Sequence, residues 1–327
     1  MNIGKIQESV LRRSVFRQLK TKREEVLFGA GSGEDCAILT FPPGQELLVS
    51  AAAAVKTEQD AALYGIHAAV NNIAACGGKP AAVWLTVLLP PSAEETELRG
   101  LMEQAEQICA GLNIQIAGGH TEVTSAVNRR VLSVTAAGSV PPGRALSASG
   151  LHAGTQLVLT KWAGLEGTAI AAREKRQELL SRFPAYLVEE AENFSGFLSV
   201  LPESEAAGDC AVCAMTDLSE GGVFGALWEM AEASGVGLEI DLKKIPIRQE
   251  TVEICNFLDL NPYELLSGGS LLIGADDGYA LAERLQKAGI PAAVIGRAVP
   301  GNDRVVRNGE EKRFLGPART DEIYKIF

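Results

Sequence analysis

Four short stretches of this chain set glycine beside polar or acidic side chains, and each falls between apolar runs of strand or helix length. They are Gly31-Ser32-Gly33-Glu34-Asp35, Gly118-Gly119-His120-Thr121-Glu122, Gly164-Leu165-Glu166-Gly167-Thr168 and Thr216-Asp217-Leu218-Ser219-Glu220-Gly221-Gly222. Glycine lets a backbone approach an anion closely, and amides at a helix start bind phosphate directly. One such turn is a weak signal, because bare glycine turns are common. Apolar runs alternating with such turns point to an α/β or α+β architecture, and the four turns in this order are a more specific signal than any one of them.

The elements between the turns follow from periodicity. Residues 46–54 read as a strand, 60–76 as a helix, 81–89 as a strand and 93–112 as a helix. The first helix carries Leu63, Ile66, Val70 and Ile73 at helical spacing and ends at Gly77-Gly78, with Pro80 preventing continuation. Residues 114–117 and 131–137 read as further strands, with the Gly118 to Glu122 turn as a loop after the first. Val140-Pro141-Pro142-Gly143 is the clearest change of texture and predicts two domains, 1–145 and 146–327. Beyond it, residues 156–160 read as a strand leading into the Gly164 turn and a helix. Asp217 and Ser219 read as helix-entry residues, Val223, Leu227, Met230 and Ala231 as the apolar stripe, and Ser234-Gly235 as the stop before a strand at 236–240.

Composition narrows the function classes. The longest apolar stretches, such as residues 81–91, fall far short of the roughly 20 residues a membrane helix needs. Charged residues near the start argue against a secretion signal, so a cytoplasmic location is expected. Six cysteines over 327 residues are too sparse for a disulfide framework, and reduced thiols are expected. Cys210 and Cys213 have no second pair to complete a zinc site and read as incidental thiols. A net charge of −11 without a strong basic cluster excludes nucleic acid as a partner.

Several of these segments, taken in order, resemble the aminoimidazole ribonucleotide synthase (PurM-like) superfamily. Val70-Asn71-Asn72-Ile73 with Gly77-Gly78-Lys79-Pro80 resembles its V-N-D-I helix and turn; Gly33-Glu34-Asp35-Cys36-Ala37 its G-D-D-x-A loop; Gly118-Gly119-His120-Thr121-Glu122-Val123 its G-G-D-T-E-V segment. Gly164 to Ala169 and Met215 to Gly222, continuing through Ala231-Glu232-Ala233-Ser234-Gly235-Val236, are similar to the hydrogenase-maturation factor HypE within that superfamily. The resemblance implies a two-domain fold whose N-terminal domain pairs with a second copy to form a β-barrel, and a C-terminal α/β domain. It also implies a homodimer that binds ATP and Mg²⁺, with a maturation-type protein partner. Carried over by position, Glu34, Asp35 and Asp217 are the expected metal ligands, and Asp35 and Asp217 the catalytic acids. Gly33, Glu34, Ser50, Asn71, Asn72, Gly118, Gly119, His120, Thr121 and Lys161 are the expected nucleotide contacts. Beside Gly164, Trp162 and Lys161 either touch the ligand or pack and stay solvated.

The departures from the pattern fall on its carboxylates. Ala52 stands where the family's S-x-D strand end has an acid, Asn72 where V-N-D-I has its aspartate, and His120 where G-G-D-T has its own. Ala52 coordinates nothing, Asn72 offers a neutral oxygen, and His120 offers a nitrogen that Mg²⁺ seldom selects. Losing these acids weakens the metal site, yet it also removes repulsion against phosphates. No cysteine follows Cys255, so the C-terminal thiol chemistry of HypE is not expected, and residues 1–33 hold no Cys of the selenophosphate synthetase kind. Three readings stand: ATP-dependent activation of a carboxamide-type substrate, a non-catalytic nucleotide- or phosphoanion-binding homodimer, and a kinase of the thiamine monophosphate kinase type.

Overall fold

The computed structural model describes every residue except Asn2, residues 32–35, Glu58, Asp209 and Ala318. The expected ligands Gly33, Glu34 and Asp35 therefore lie outside the described residues. The chain divides into two units, Met1–Ala74 with Gly78–Ala145, and Leu146–Phe327 with Ala75–Gly77.

The first unit runs β1 (Gly4–Lys5), α1 (Glu8–Val10), β2 (Val26–Phe28), β3 (Ile38–Leu39), β4 (Glu46–Ala54), α2 (Ala61–Ala75), β5 (Lys79–Leu89), α3 (Glu95–Gly111), β6 (Gln115–Val123) and β7 (Val131–Val140). Five strands form one sheet in the order β1-β6-β5-β7-β4, and β2 pairs only with β3. The β5–β6 pair is parallel, which the α3 crossover permits; the other neighbours in the sheet are antiparallel. No sheet among the described residues closes, so the expected barrel is not a property of the single chain.

Helix α2 forms because alanine-rich sequence with Ile66, Val70 and Ile73 on one side buries that side completely. Each of those side chains contributes about 1.5–3 kcal/mol by leaving water. Gly65 sets the contact distance, since a Cβ there would lie 3.1 Å from Ala54 Cβ and 3.2 Å from Val134 Cγ2. Helix α3 starts with a reciprocal capping box between Glu94 and Glu97 and buries Leu98, Leu101, Met102, Ala105 and Cys109. On edge strand β4, Leu47 and Val49 stay 59% and 64% exposed. Two local expectations change. Strand β5 begins at Lys79 and contains Pro80, tolerated near the strand start, where it lies opposite Gly138 of β7. Strand β6 runs straight through Gly118, Gly119 and His120, which are not a loop.

The second unit runs β8 (Gln156–Thr160), α4 (Leu165–Glu174), α5 (Arg176–Leu180), α6 (Ala185–Asn193), α7 (Leu201–Ala207), β9 (Val212–Asp217), α8 (Gly222–Ser234), β10 (Gly237–Asp241), α9 (Gln249–Leu258), β11 (Leu271–Ala275), α10 (Gly278–Lys287), β12 (Ala292–Val299), β13 (Arg304–Asn308) and β14 (Glu311–Phe314). Seven strands form one sheet, β14-β13-β10-β12-β8-β11-β9. Its core is the α8 stripe of Val223, Leu227, Met230 and Ala231 packed with Leu157, Leu159, Leu238, Ile240, Leu272 and Ile295.

Helix α8 starts later than its sequence signals suggest. Asp217 ends strand β9, opposite Leu271, and the chain turns at Gly221, φ 84°, before the helix begins at Gly222, φ 59°. A side chain at Gly222 would sit 2.6 Å from the Leu265 carbonyl oxygen, so backbone crowding fixes glycine there. No helix among the described residues is long and apolar enough to cross a membrane.

Candidate functional site

In the first unit, the sheet and the N-terminal segment enclose a cleft of about 240 Å³. Strand β1 builds one wall by pairing Lys5 with Glu122 of β6; α1 adds Glu8, and the segment before the undescribed residues adds Gly29, Ala30 and Gly31. Strand β6 contributes Gly118, Gly119, His120 and Thr121, so Gly31, the described residue of the first glycine stretch, lines the same cleft as the second stretch. The two glycines of β6 are required by packing. A Cβ at Gly118 would lie 2.6 Å from Trp84 Cδ1, and one at Gly119, where φ is 150°, would collide with the Leu85 carbonyl. Both constraints arise where the β5–β6 register shifts between Val83 and Trp84.

The motif positions divide between two faces of this sheet. Asn72 Nδ2 donates to Ser50 Oγ at 2.9 Å, next to Ala52, and the amide oxygen of Asn72 is left to accept. His120 pairs in register with Thr86, Thr86 with Ser133, and Ser133 with Ala53. Side chains alternate along a strand, so His120 lies on the face opposite Ser50 and Ala52. There His120 Nε2 is 3.1 Å from Glu122 Oε2, both side chains well exposed. Asn71, an expected nucleotide contact, is 2% exposed within α2 and presents no surface to a ligand.

The second unit holds the described acid of the pattern. Burial at the end of β9 pushes the Asp217 carboxyl up from 3.8 to about 6, against a smaller opposing effect from its own backbone amide. Cys76, which belongs to this unit, has its thiol pushed up by burial and then by the charge of Asp217. Lys161 departs from both expectations. Its ammonium is buried, donating to the carbonyls of Phe197, Ser199 and Gly269 at 2.7 Å each and lying 2.6 Å from Glu203 Oε1. Three N–H groups shared among four acceptors leave none for a nucleotide, and burial lowers the lysine pKa while Glu203 opposes that shift.

The glycine turns of this unit are likewise used internally. Gly164 N donates to Ser267 Oγ at 2.7 Å and Gly167 N to the Leu266 carbonyl at 2.8 Å. Gly221 N donates to Asp321 Oδ2 at 2.6 Å, and the other oxygen of Asp321 accepts from Leu266 N and Ile323 N. Helix starts that suit a phosphate are here satisfied by the chain itself.

The described residues do not form a hard-cation cage: no group of three His, Cys, Asp or Glu side chains comes together among them. The Ser50–Asn72 pair supplies neutral oxygens only, a poor match to a hard cation, and Glu34 and Asp35 lie outside the described residues. All six cysteines are free. Lys5, Glu8 and Trp84 line the first cleft and went unread in the sequence, because a two-residue edge strand has no periodicity and Trp84 reads as ordinary core.

Comparison with known proteins sets this geometry in a family. Residues 33–140 match the AIR synthase related protein N-terminal domain and residues 152–308 its C-terminal domain. The chain is 28% identical over 246 residues to carbamoyl dehydratase HypE of Rhodobacter capsulatus, covering 73% of this chain and 69% of that one. It is 25% identical to carbamoyl dehydratase HypE of Azotobacter vinelandii, covering 84% and 81%. Thiamine-monophosphate kinase of Salmonella typhimurium is 28% identical, covering 71% and 70%. In fold, the chain superposes with TM-score 0.81 at 18% identity on the hydrogenase maturation protein HypE in complex with ATP, covering 98% and 96%. It also superposes with TM-score 0.70 at 18% identity on a chain of a HypE–HypF complex, covering 85% and 92%. The chain belongs to the AIR synthase related protein family and carries its two-domain PurM-like fold.

Proposed function

We propose that this chain is a HypE-like protein that binds ATP as a homodimer in the cytoplasm and has a weakened Mg²⁺ requirement, with slow activation of a carboxamide-type substrate at most. The observation that carries this reading is the neutral Ser50–Asn72 hydrogen bond beside Ala52, at positions where the family pattern concentrates carboxylates. Phosphoryl transfer relies on a divalent ion to neutralise charge on the phosphates, and alanine and amide side chains hold such an ion poorly. ATP binding is favoured by the resemblance to HypE solved with ATP. The exposed Leu47 and Val49 on edge strand β4 support pairing with a second copy. A maturation-type partner is favoured by the HypE–HypF complex.

Release of ADP from ATP, measured with carbamoylated peptide amides at millimolar Mg²⁺, tests the enzymatic part. The expected rate is at least about a hundredfold below that of the Ala52→Asp/Asn72→Asp variant, the scale on which single electrostatic groups act in catalysis. Equal rates would overturn the reading. A second reading, a small-molecule kinase, rests on the similarity to thiamine-monophosphate kinase. ADP release on addition of a phosphorylated alcohol, but not of an amide, would favour it.

A further inference from the structure

The second unit carries a cleft of about 590 Å³ whose lining includes none of the positions marked by the family motifs. Its floor is β10 and β12, flat at Gly296, where a side chain would collide with the Glu239 carbonyl. Lys243, Lys244, Arg297 and Arg307 face this cleft against two carboxylates, Glu239 and Asp241, in a chain whose net charge is −11. Neither carboxylate serves the lysines. Glu239 accepts from Arg297 at 2.9 Å and from Arg307 at 3.3 Å, and these arginines, Arg297 foremost, hold its carboxyl below the usual range. Asp241 Oδ1 caps the following turn by accepting from Lys243 N at 3.1 Å. Among the described residues, neither lysine ammonium forms an ion pair, and Lys243 Nζ leans over the β13–β14 turn, 3.9 Å from where a Cβ of Gly309 would be. Four cations against two carboxylates give the cleft a local excess of positive charge that attracts an anion.

We propose that this cleft binds a phosphate-bearing small molecule, with the phosphate on Lys243 and Lys244 and with Arg307, the longer-bonded partner of Glu239, turning to share it. The cleft is open to solvent, and its volume suits a small metabolite, since ligand clefts commonly hold a few hundred cubic ångströms. Tetrahedral phosphate also meets ammonium and guanidinium donors together, through charge-assisted hydrogen bonds. None of the residues lining this cleft belongs to the nucleotide site proposed above.

Calorimetric titration of the full chain with inorganic pyrophosphate in magnesium-free buffer tests this. Lys243→Ala/Lys244→Ala is expected to weaken pyrophosphate by at least about tenfold, as two lost charge-assisted contacts imply, while leaving the ATP titration unchanged. Glu239→Gln is expected to tighten pyrophosphate binding by removing the competing carboxylate. Absence of binding to the wild-type chain, equal binding by the double lysine variant, or weaker binding by Glu239→Gln would each overturn the proposal. So would a polyglutamate peptide that binds as tightly as pyrophosphate.

Discussion

The two units treat charge in opposite ways at the positions the family pattern marks. In the first, Ser50, Ala52 and Asn72 are neutral, and His120 and Glu122 form an exposed pair. In the second, Asp217 is kept as an acid where burial opposes its charge, and Lys161 with Glu203 is an ion pair almost out of water. The difference teaches that a retained charge can be held in two ways: Lys161 is compensated by Glu203 and three carbonyls, whereas Asp217 is kept where burial disfavours its ionised form and only its own backbone amide opposes that. A carboxylate held at a cost to stability is a sign of use at a site, since selection for stability alone would replace it.

The largest effect is expected at the lysine cage. Lys161→Met leaves Glu203 charged and buried and should destabilise the chain by about 3–5 kcal/mol in urea unfolding, whereas Lys161→Met/Glu203→Leu should cost much less. If the single and double variants were equally damaged, the ion pair would not be what the second unit depends on.

The next effect has the opposite sign. The folded-state value of Asp217, about 6, is above its ordinary 3.8, so the folded chain holds the extra proton between these values. Stability should therefore fall as pH rises from about 4 to 6, with the loss complete above pH 6. Asp217→Asn should gain about 2–3 kcal/mol at pH 8 and flatten that slope, read from denaturant midpoints across pH. A smaller change is expected in the first unit. Ala52→Asp should cost about 1–2 kcal/mol in EDTA, because a half-buried carboxylate is added without a partner, and millimolar Mg²⁺ should recover part of that cost. The smallest belongs to His120→Ala, expected within about 0.5 kcal/mol of the parent chain because its ion pair is exposed. A loss several times larger would show that His120 is structural.

Much of this fold is legible from periodicity and glycine. The strands at 46–54 and 156–160 and the helix ending at Gly235 follow from patterns that local packing does not contradict. Other features depend on contacts far along the chain. Gly118 and Gly119 read as a ligand loop, but Trp84 and the Leu85 carbonyl, more than thirty residues earlier, are what exclude a side chain there. Asp217 and Ser219 look like helix-entry residues, but Leu271 takes Asp217 into the sheet and the Leu265 carbonyl postpones the helix to Gly222. Lys161 beside a glycine turn suggests a phosphate contact, and only the folded chain reveals three carbonyls and Glu203 around it. Local signals mark where glycine and charge occur; tertiary neighbours decide whether a ligand or the protein uses them.

The most direct measurement on the difference between the units is calorimetric titration of the purified chain with ATP, with and without millimolar Mg²⁺. ATP binding that changes by less than about tenfold on adding the metal is the expected result, since neutral Ser50 and Asn72 give Mg²⁺ little to hold. Binding that requires Mg²⁺, accompanied by turnover, would contradict it.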